Sequence, residues 1–347
     1  MELNEMTPAA GVGTDGCTKC GSPAYEAGYK IKLCAPCRRE MSRYPVKKSV
    51  LWSAIGIGIL MILSLYKFPE VFKARLSYER ALKLEGEHKY MSAEQELRKT
   101  LQRYPENLKA SAHLMIAAFY NDHLALADSV SSHWAGASSK EEDDLISRVN
   151  NLLSNMEHYT FGDSTFAVKY RSLKTDTPAL KAALLQYTQE QPHDVMAAYL
   201  LADQYYEEAD YAHTDSILQM LIKDAPDFHP AYGLLASTYR EQKKFTEAAA
   251  VCYQLLDRNA ESVAGNTGLA IILLKQHRDQ EALTKALAAY AWEPNSSSVM
   301  RTLALAYYFN DQNKECNELL SNIRRSADTS GLAHTLDIIR GNITYRD

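Results

Sequence analysis

The sequence predicts an all-α protein in which a solenoid of helical hairpins follows a small cysteine-rich module and one apolar helix. Three observations support this prediction. A 34-residue register recurs in the second half of the chain, four cysteines cluster near its start, and a 17-residue apolar run lies between these regions. The composition agrees, because only 15 glycines and 11 prolines occur in 347 residues that are rich in Ala, Leu and Glu.

Charge is distributed unevenly along the chain. Residues 1–66 contain 8 Lys/Arg against 5 Asp/Glu, whereas the remaining 281 residues contain 30 against 38. Phosphate binding requires a concentrated basic surface, so the acidic balance of the larger region argues against nucleic acid as its partner. The sequence contains no metalloprotease, phosphate-loop or nucleophile-elbow motif, and we therefore predict that the protein is not an enzyme.

The clustered cysteines are spaced C-x2-C-x13-C-x2-C, and the candidate metal ligands are Cys17, Cys20, Cys34 and Cys37. Each C-x-x-C pair suits a tight turn that points both sulfurs at one place, and two such turns form the tetrahedral S4 cage that Zn²⁺ accepts. The residues between the pairs alternate as a short hairpin around Gly28 would. The pattern resembles the zinc-ribbon family, which implies one structural Zn²⁺ per chain. Two disulfides, an iron–sulfur centre and a redox pair stay open as alternatives.

The apolar run extends from Val50 to Tyr66, about 25 Å of helix, with an aromatic residue near each end and lysines on both flanks. We therefore predict a single transmembrane helix at residues 49–67, with a buried core helix as the alternative. Basic residues before the run, and the persistence of thiolate ligands in a reducing compartment, favour a cytoplasmic N-terminus. The helical array would then lie outside the cytoplasm, facing the periplasm in a bacterial inner membrane. Ala54-x3-Gly58 within the run leaves a homo-oligomer open.

A 34-residue register organises the chain beyond this run. Small residues recur at this spacing in the first helix of each row, at Ala202, Ala236, Ala270 and Ala304, and each follows a leucine. Pro192, Pro226 and Pro294 stand one and two periods apart. The pattern resembles the tetratricopeptide repeat (TPR) family, in which small residues let the two helices of a hairpin approach closely. The resemblance implies a TPR-type helical-hairpin solenoid that binds proteins or peptides.

The register also suggests segment boundaries. Pro105 and Pro192 are 87 residues apart, two periods plus 19, which indicates an insertion between them. We predict a disordered tail at 1–16, the zinc-ribbon-like module at 17–40, the transmembrane helix at 49–67, first TPR-like repeats at 70–134, a degenerate or inserted helical segment at 135–177, TPR repeats at 178–328, and a C-terminal capping helix and tail at 329–347.

In the TPR family, the first helix of each hairpin lines a concave groove through repeat positions 2, 5, 9 and 12. Carried over by register, this resemblance implies a partner-binding groove that includes Tyr199, Asp203, Tyr206, Arg240, Arg301 and Tyr308. Tyrosines beside arginines suit an extended peptide, because they combine flat apolar area with hydrogen-bonding tips. Packing between repeats is the alternative role for each tyrosine.

These features together predict a membrane-anchored, non-enzymatic scaffold whose TPR array binds protein or peptide partners. The alternative is a regulatory or sensory membrane protein in which the zinc ribbon contacts a cytoplasmic partner, either a protein or a nucleic acid.

Overall fold

The computed structural model describes residues 16–42, 47–134 and 143–346; the predicted tail therefore lies, apart from Gly16, outside the described residues. The described residues form seventeen α-helices and one 3-10 helix, and no strand occurs among them. The helices are α1 Ala35–Ser42, α2 Lys48–Gly86, α3 Tyr90–Arg103, α4 Leu108–Tyr120, α5 Leu124–His133, α6 Asp143–Met156, a 3-10 helix Glu157–Tyr159, α7 Ser164–Leu173, α8 Thr177–Glu190, α9 Val195–Glu207, α10 Tyr211–Asp224, α11 His229–Glu241, α12 Phe245–Arg258, α13 Val263–Lys275, α14 Asp279–Trp292, α15 Ser297–Phe309, α16 Asn313–Arg325 and α17 Leu332–Ile339.

The chain divides into two compact units, Met1–Pro69 and Glu70–Asp347. The described part of the first unit contains the cysteine cluster, α1 and the beginning of α2. The second unit contains the helical array.

The predicted transmembrane helix is not found. No helix within the described residues is both long enough and apolar enough to cross a bilayer. The apolar run belongs to α2, which is 39 residues long and takes up charged residues such as Lys73 and Glu79. The predicted single-pass membrane localisation, with its cytoplasmic N-terminus and external array, is therefore wrong.

The second unit is an all-α helical-repeat fold of the TPR type, as the register predicts. Consecutive helices pack against one another from α8 to α16, and the first helices of successive hairpins also touch: α9 contacts α11, α11 contacts α13, and α13 contacts α15. The recurring small residues Ala202, Ala236, Ala270 and Ala304 are all buried. Their counterparts on the second helices, Thr214, Ala248, Ala282 and Cys316, are buried too. Close approach of two helices at each of these positions explains the 34-residue spacing.

Six hairpin turns share one backbone geometry. A non-glycine residue adopts the left-handed conformation, with φ between 55° and 60°, at His88, Asp122, Ala209, Lys243, His277 and Asp311. The next residue donates its N–H to a carbonyl five positions earlier, as Asp210 does to Tyr205 at 2.9 Å. This Schellman arrangement satisfies carbonyls at the end of the preceding helix. The last four of these residues are 34 apart, and Asp122 and Ala209 are 87 apart, so the turns reproduce both the register and its break.

The break in the register corresponds to inserted helices. The segment predicted at 135–177 contains α6, the 3-10 helix and α7, although residues 135–142 lie outside the described part. The apolar stripe of α6 packs against the core formed by α3 and α4, with Leu152 buried at its centre. Tyr159 then donates its hydroxyl to the carbonyl of Asp227 at 3.1 Å. The insertion therefore packs against the first hairpins through α6 and reaches the later array through Tyr159.

Candidate metal centre and partner-binding groove

Four thiols converge near the start of the described chain. The sulfur atoms of Cys17, Cys20, Cys34 and Cys37 all lie within 4.8 Å of one another. Cys20 Sγ and Cys34 Sγ are 3.6 Å apart. A Zn²⁺ ion with four Zn–S bonds of about 2.3 Å separates its sulfurs by about 3.8 Å, so this donor set fits the ion. The structure brings together the four ligands that their spacing predicts, and the identity of the metal stays a prediction.

Two local structures aim the sulfurs at this place. In the first, the Gly21 N–H donates to the Cys17 carbonyl at 2.9 Å, and Gly21 has a φ of 71°. This conformation favours glycine because a Cβ would be strained there. In the second, α1 begins directly after Cys34 and carries Cys37 in its first turn. Each C-x-x-C pair is thus held by a tight turn or by a helix start.

The connection between the two pairs is an irregular loop, which corrects the expected hairpin. No strand forms within the described residues 16–42. The loop instead has isolated backbone hydrogen bonds, from Thr18 N–H to the Lys32 carbonyl and from Glu26 N–H to the Leu33 carbonyl, both at 2.9 Å. Two separate bonds close the loop without extending a ladder, so alternation in sequence does not become strand pairing here.

Arg38 provides the side-chain packing of this loop. Its Nε lies 2.6 Å from a carboxylate oxygen of Glu26, and its guanidinium lies 3.5 Å from the centre of the Tyr29 ring. Its Nη2 donates to the Ile31 carbonyl at 3.1 Å. Arg38 therefore stabilises the loop conformation, which is a structural role that the sequence argument had not assigned to it.

Within the cluster, the pKa values of Cys17 and Cys37 shift in opposite directions. A hydrogen bond from the Cys34 N–H is the largest cause that lowers the pKa of Cys17, to about 6. Hydrogen bonds with the Cys34 and Cys20 side chains raise the pKa of Cys37 to about 12. The lowered pKa favours the thiolate form of Cys17 near neutral pH, and binding of a cation by Cys37 would displace its proton.

The predicted groove tyrosines are half-buried and pack against aromatic neighbours. The Tyr199 ring lies 5.4 Å from the Phe228 ring, with the planes near perpendicular, and burial raises the Tyr199 pKa. The Tyr308 ring lies 5.0 Å from that of the adjacent Phe309. The Tyr206 ring is 5.9 Å from Tyr211 in the same hairpin. These tyrosines thus contribute packing within the array, the alternative role considered for them.

The structure brings Arg240 and Arg301 to one cavity and places Asp203 elsewhere. Arg240 donates to Glu241 Oε1 through Nη2 at 3.0 Å, and Arg301 donates to Ser297 Oγ at 2.8 Å. Both arginines line a cavity of about 480 Å³ beside α17. Asp203 lies on α9, where burial raises the pKa of its carboxyl. Its side chain lines neither this cavity nor the larger one between the array and the first hairpins. Partner binding by all six residues stays a prediction.

A larger cavity, of about 530 Å³, lies on the face formed by the first helices. Its wall combines apolar residues with amide, hydroxyl and charged groups. Contributors from the array include Gly233, Ser237, Arg240, Asn259, Thr267, Ile271 and Ser298. Contributors from the first hairpins are Met91, Tyr120, Asn121 and Asp122. The cavity is therefore built by two parts of the chain that are distant in sequence.

Hydrogen bonds between these two parts form the edge of the larger cavity. Asn259 is buried and donates to the Tyr120 carbonyl at 2.8 Å and to Asn121 Oδ1 at 3.0 Å. The buried His229 places Nδ1 2.8 Å from Asp122 Oδ1. Sequence reasoning missed these contacts because the repeat register links neighbouring hairpins only, and the pairs are separated by 107 to 139 residues.

Comparison with known proteins finds no matching family model and no significant match among curated proteins. Solved structures match about half of this chain. "MamA AMB-1 P212121" is 20% identical, covers 50% of this chain and 98% of its own, and has a TM-score of 0.35. "Crystal structure of MamA" is 13% identical over 50% of this chain and 96% of its own, with a TM-score of 0.38. YrrB, described as "a TPR protein with an unusual peptide-binding site", is 12% identical over 48% of this chain and 88% of its own, with a TM-score of 0.36. At these scores the likeness carries no inference about ligands, and the TPR-like fold of this chain rests on its own helices and turns.

Proposed function

We propose that this protein is a non-enzymatic scaffold whose TPR-like array binds an extended segment of a partner protein. The binding surface is the face formed by the first helices α11, α13 and α15. The observation that supports it best is the cavity of about 530 Å³ on this face. Its volume and its mixed polar and apolar wall suit several side chains of a bound peptide.

The chemistry of the wall favours a peptide over a small metabolite. The hydroxyl and amide groups of Ser237, Thr267 and Asn259 line the cavity together with the apolar side chain of Ile271. Such a surface provides hydrogen bonds to a peptide backbone together with contacts to its side chains. Arg240 borders both cavities and offers a planar donor group to a carboxylate or carbonyl of the partner.

We further propose that the four-cysteine site holds one structural Zn²⁺. The donor set of four sulfurs within 4.8 Å of one another supports this ion, and Cys17, Cys20, Cys34 and Cys37 would be its ligands. The described module has a small core of Cys17, Leu33 and Cys37, so metal ligation would supply much of its folding free energy.

A groove-filling substitution tests the scaffold proposal. Gly233 is exposed, lines the larger cavity, and has no atom within 4 Å of the position that a Cβ would take. Gly233→Tyr therefore fills the groove without a clash at the Cβ, and it replaces a poor helix former. Random twelve-residue peptides displayed on phage would be selected on the full chain, and their affinities measured by fluorescence anisotropy.

We expect Gly233→Tyr to weaken the selected peptides at least about tenfold, by steric exclusion from the cavity. The matched control is Ala250→Tyr, an exposed position on α12. Thermal unfolding of both variants checks that the fold is kept. Selected peptides that bind the two variants and the unmodified chain equally would contradict this binding surface.

A further inference from the structure

The segment Ile343–Arg346 lies against the array beside the proposed binding surface. Gly341, with a φ of 77°, follows α17, and its N–H donates to the Ile338 carbonyl at 3.0 Å. The chain then returns toward the ends of α13 and α15. The Tyr345 ring stacks on the Phe309 ring with centroids 5.6 Å apart and planes 24° apart. The returning segment therefore inserts an aromatic side chain among the first helices.

Tyr345 is recognised through both its ring and its backbone. The Lys275 ammonium lies 4.2 Å from the centre of the Tyr345 ring and also donates a hydrogen bond to the Tyr345 carbonyl. Burial raises the Tyr345 pKa to about 12, so its hydroxyl stays protonated at neutral pH. Lys275 at the end of α13 and Phe309 at the end of α15 thus hold one aromatic residue between two hairpins.

Arg346 occupies the adjoining position. Its guanidinium lies 3.6 Å from the centre of the Phe309 ring, and its Nη2 pairs with the carboxylate of Asp279 at the start of α14. Nη1 lies 3.1 Å from His277 Nδ1. The arginine side chain is 17% exposed, so this ion pair is largely removed from water. A ring face beside a carboxylate is a site selective for arginine.

The segment also borders the groove itself. Ile343, Thr344 and Tyr345 line the cavity of about 480 Å³ that Arg240 and Arg301 also line. The contacts just described come from two side chains and one carbonyl, which any extended peptide with an aromatic–arginine pair also presents. Their chemistry does not require that this pair belong to the same chain.

We propose that Lys275, Asp279 and Phe309 form a subsite for an aromatic residue followed by arginine in an extended partner protein, and that Tyr345-Arg346 fills this subsite until the partner displaces it. The inference rests on the proposed function and names the chemistry of its ligand. Charge complementarity supports it, because Asp279 is matched by the arginine. The segment is tethered nearby, so it competes at an effective concentration on the order of 1 mM.

A peptide added in trans tests the subsite. The probe is a fluorescent hexapeptide with the sequence of residues 342–347, NITYRD, and its control carries alanine in place of tyrosine and arginine. The receptor is the full chain with Tyr345→Ala and Arg346→Ala, which empties the subsite. The matched control receptor carries Tyr253→Ala and Arg324→Ala, exposed residues of the same types on α12 and α16. Fluorescence anisotropy measures each affinity.

We expect the emptied receptor to bind the probe at least about tenfold more tightly than the unmodified chain or the control receptor, because the tethered competitor is gone. The alanine peptide should not bind. Adding Phe309→Leu to the emptied receptor keeps apolar volume but removes the ring, and should abolish probe binding while circular dichroism stays helical. Equal affinity of all receptors, or no binding to the emptied one, overturns the proposal.

Two further outcomes separate this proposal from the function on which it rests. If peptides selected on the array lose affinity in Gly233→Tyr but are unaffected by emptying the subsite, and the probe fails to bind, the subsite is wrong and the scaffold stands. If the probe binds as expected but no selected peptide depends on Gly233, the subsite stands and the larger groove is wrong. Segment exchange between two copies, detected as dimers by light scattering that disappear in the emptied receptor, overturns the proposed partner.

Discussion

The carboxylate of Glu261 accepts two hydrogen bonds from Ser92, a residue 169 positions earlier in the chain. One comes from the Ser92 N–H at 2.8 Å and the other from its hydroxyl at 2.6 Å. Ser92 is the third residue of α3, where the N–H groups of a helix lack partners within the helix. Glu261 therefore caps α3 from the loop before α13, and joins the first hairpins to the later array.

This cap should stabilise the packing of the first hairpins against the later array. We expect Glu261→Ala to lower the free energy of unfolding by about 1–2 kcal/mol, because it leaves a helix N–H without its acceptor. Glu318→Ala, at an exposed position within α16, is the matched control and should change stability by less than about 0.5 kcal/mol. Urea unfolding followed by circular dichroism measures both. A Glu261→Ala variant as stable as the control would show that the cap contributes nothing.

Left-handed turn residues predict an unusual stabilising substitution. Ala209 has a φ of 58°, a conformation in which a Cβ is strained and glycine is not. We expect Ala209→Gly to raise the free energy of unfolding by about 0.5–1 kcal/mol, and the melting temperature by about 2 °C.

The same change within a helix should have the opposite sign. Ala250 is exposed within α12, and Ala250→Gly should cost about 1 kcal/mol. Differential scanning calorimetry compares the two variants. If Ala209→Gly destabilises the protein as much as Ala250→Gly does, the turn geometry described here is wrong.

A buried carboxylate should make stability depend on acid pH. Glu94 accepts hydrogen bonds from His123 and Asn121 at 2.8 and 2.9 Å and pairs with Arg98. Burial by itself would raise the Glu94 pKa, but these partners outweigh it and lower the pKa to about 2 from a usual value of 4.5. Its stabilising contribution is therefore complete above about pH 4.5 and is lost as pH falls toward 2, an effect on the order of 3 kcal/mol.

The contribution of His123 to stability depends on pH in the opposite direction. Its hydrogen bond with Glu94 raises its pKa above 6.5, so its contribution is complete below pH 6.5 and is lost as pH rises through the folded-state value. We expect Glu94→Gln to flatten both sides of the stability profile, measured by urea unfolding at closely spaced pH values. Glu318→Gln serves as the control. Identical acid slopes in the two variants would contradict the role of Glu94.

The four-thiol site predicts a metal content that depends on each ligand. Full-length protein purified in reducing buffer should contain about one zinc per chain, and Cys34→Ser should reduce this content to near zero. Cys252→Ser is the control, because Cys252 is buried in α12 and does not belong to the cluster. Elemental analysis by mass spectrometry measures the metal. Iron in place of zinc, or equal zinc in both variants, would overturn the assignment.

The sequence by itself determined the features that depend on neighbouring residues or on strict repetition. The paired C-x-x-C spacing located the four sulfurs that meet, and the recurrence of Ala202, Ala236, Ala270 and Ala304 located the buried helix contacts. Both patterns can be recognised in the sequence because each one arises within a turn or between adjacent helices. The apolar run also acts locally, and its composition predicted a transmembrane helix. That prediction is wrong, because local composition does not show where a helix such as α2 begins and ends.

Only the tertiary structure decided which distant surfaces meet. The contacts of Asn259 with Tyr120, of Ser92 with Glu261, and of Arg346 with Asp279 join segments separated by 67 to 169 residues. No local pattern encodes such pairings, because each residue alone is an ordinary polar side chain. The cavity wall and the filled subsite arise from the path of the chain through the insertion and back along α17. For that reason the groove predicted from register contained Arg240 and Arg301 but not the segment that lies beside them.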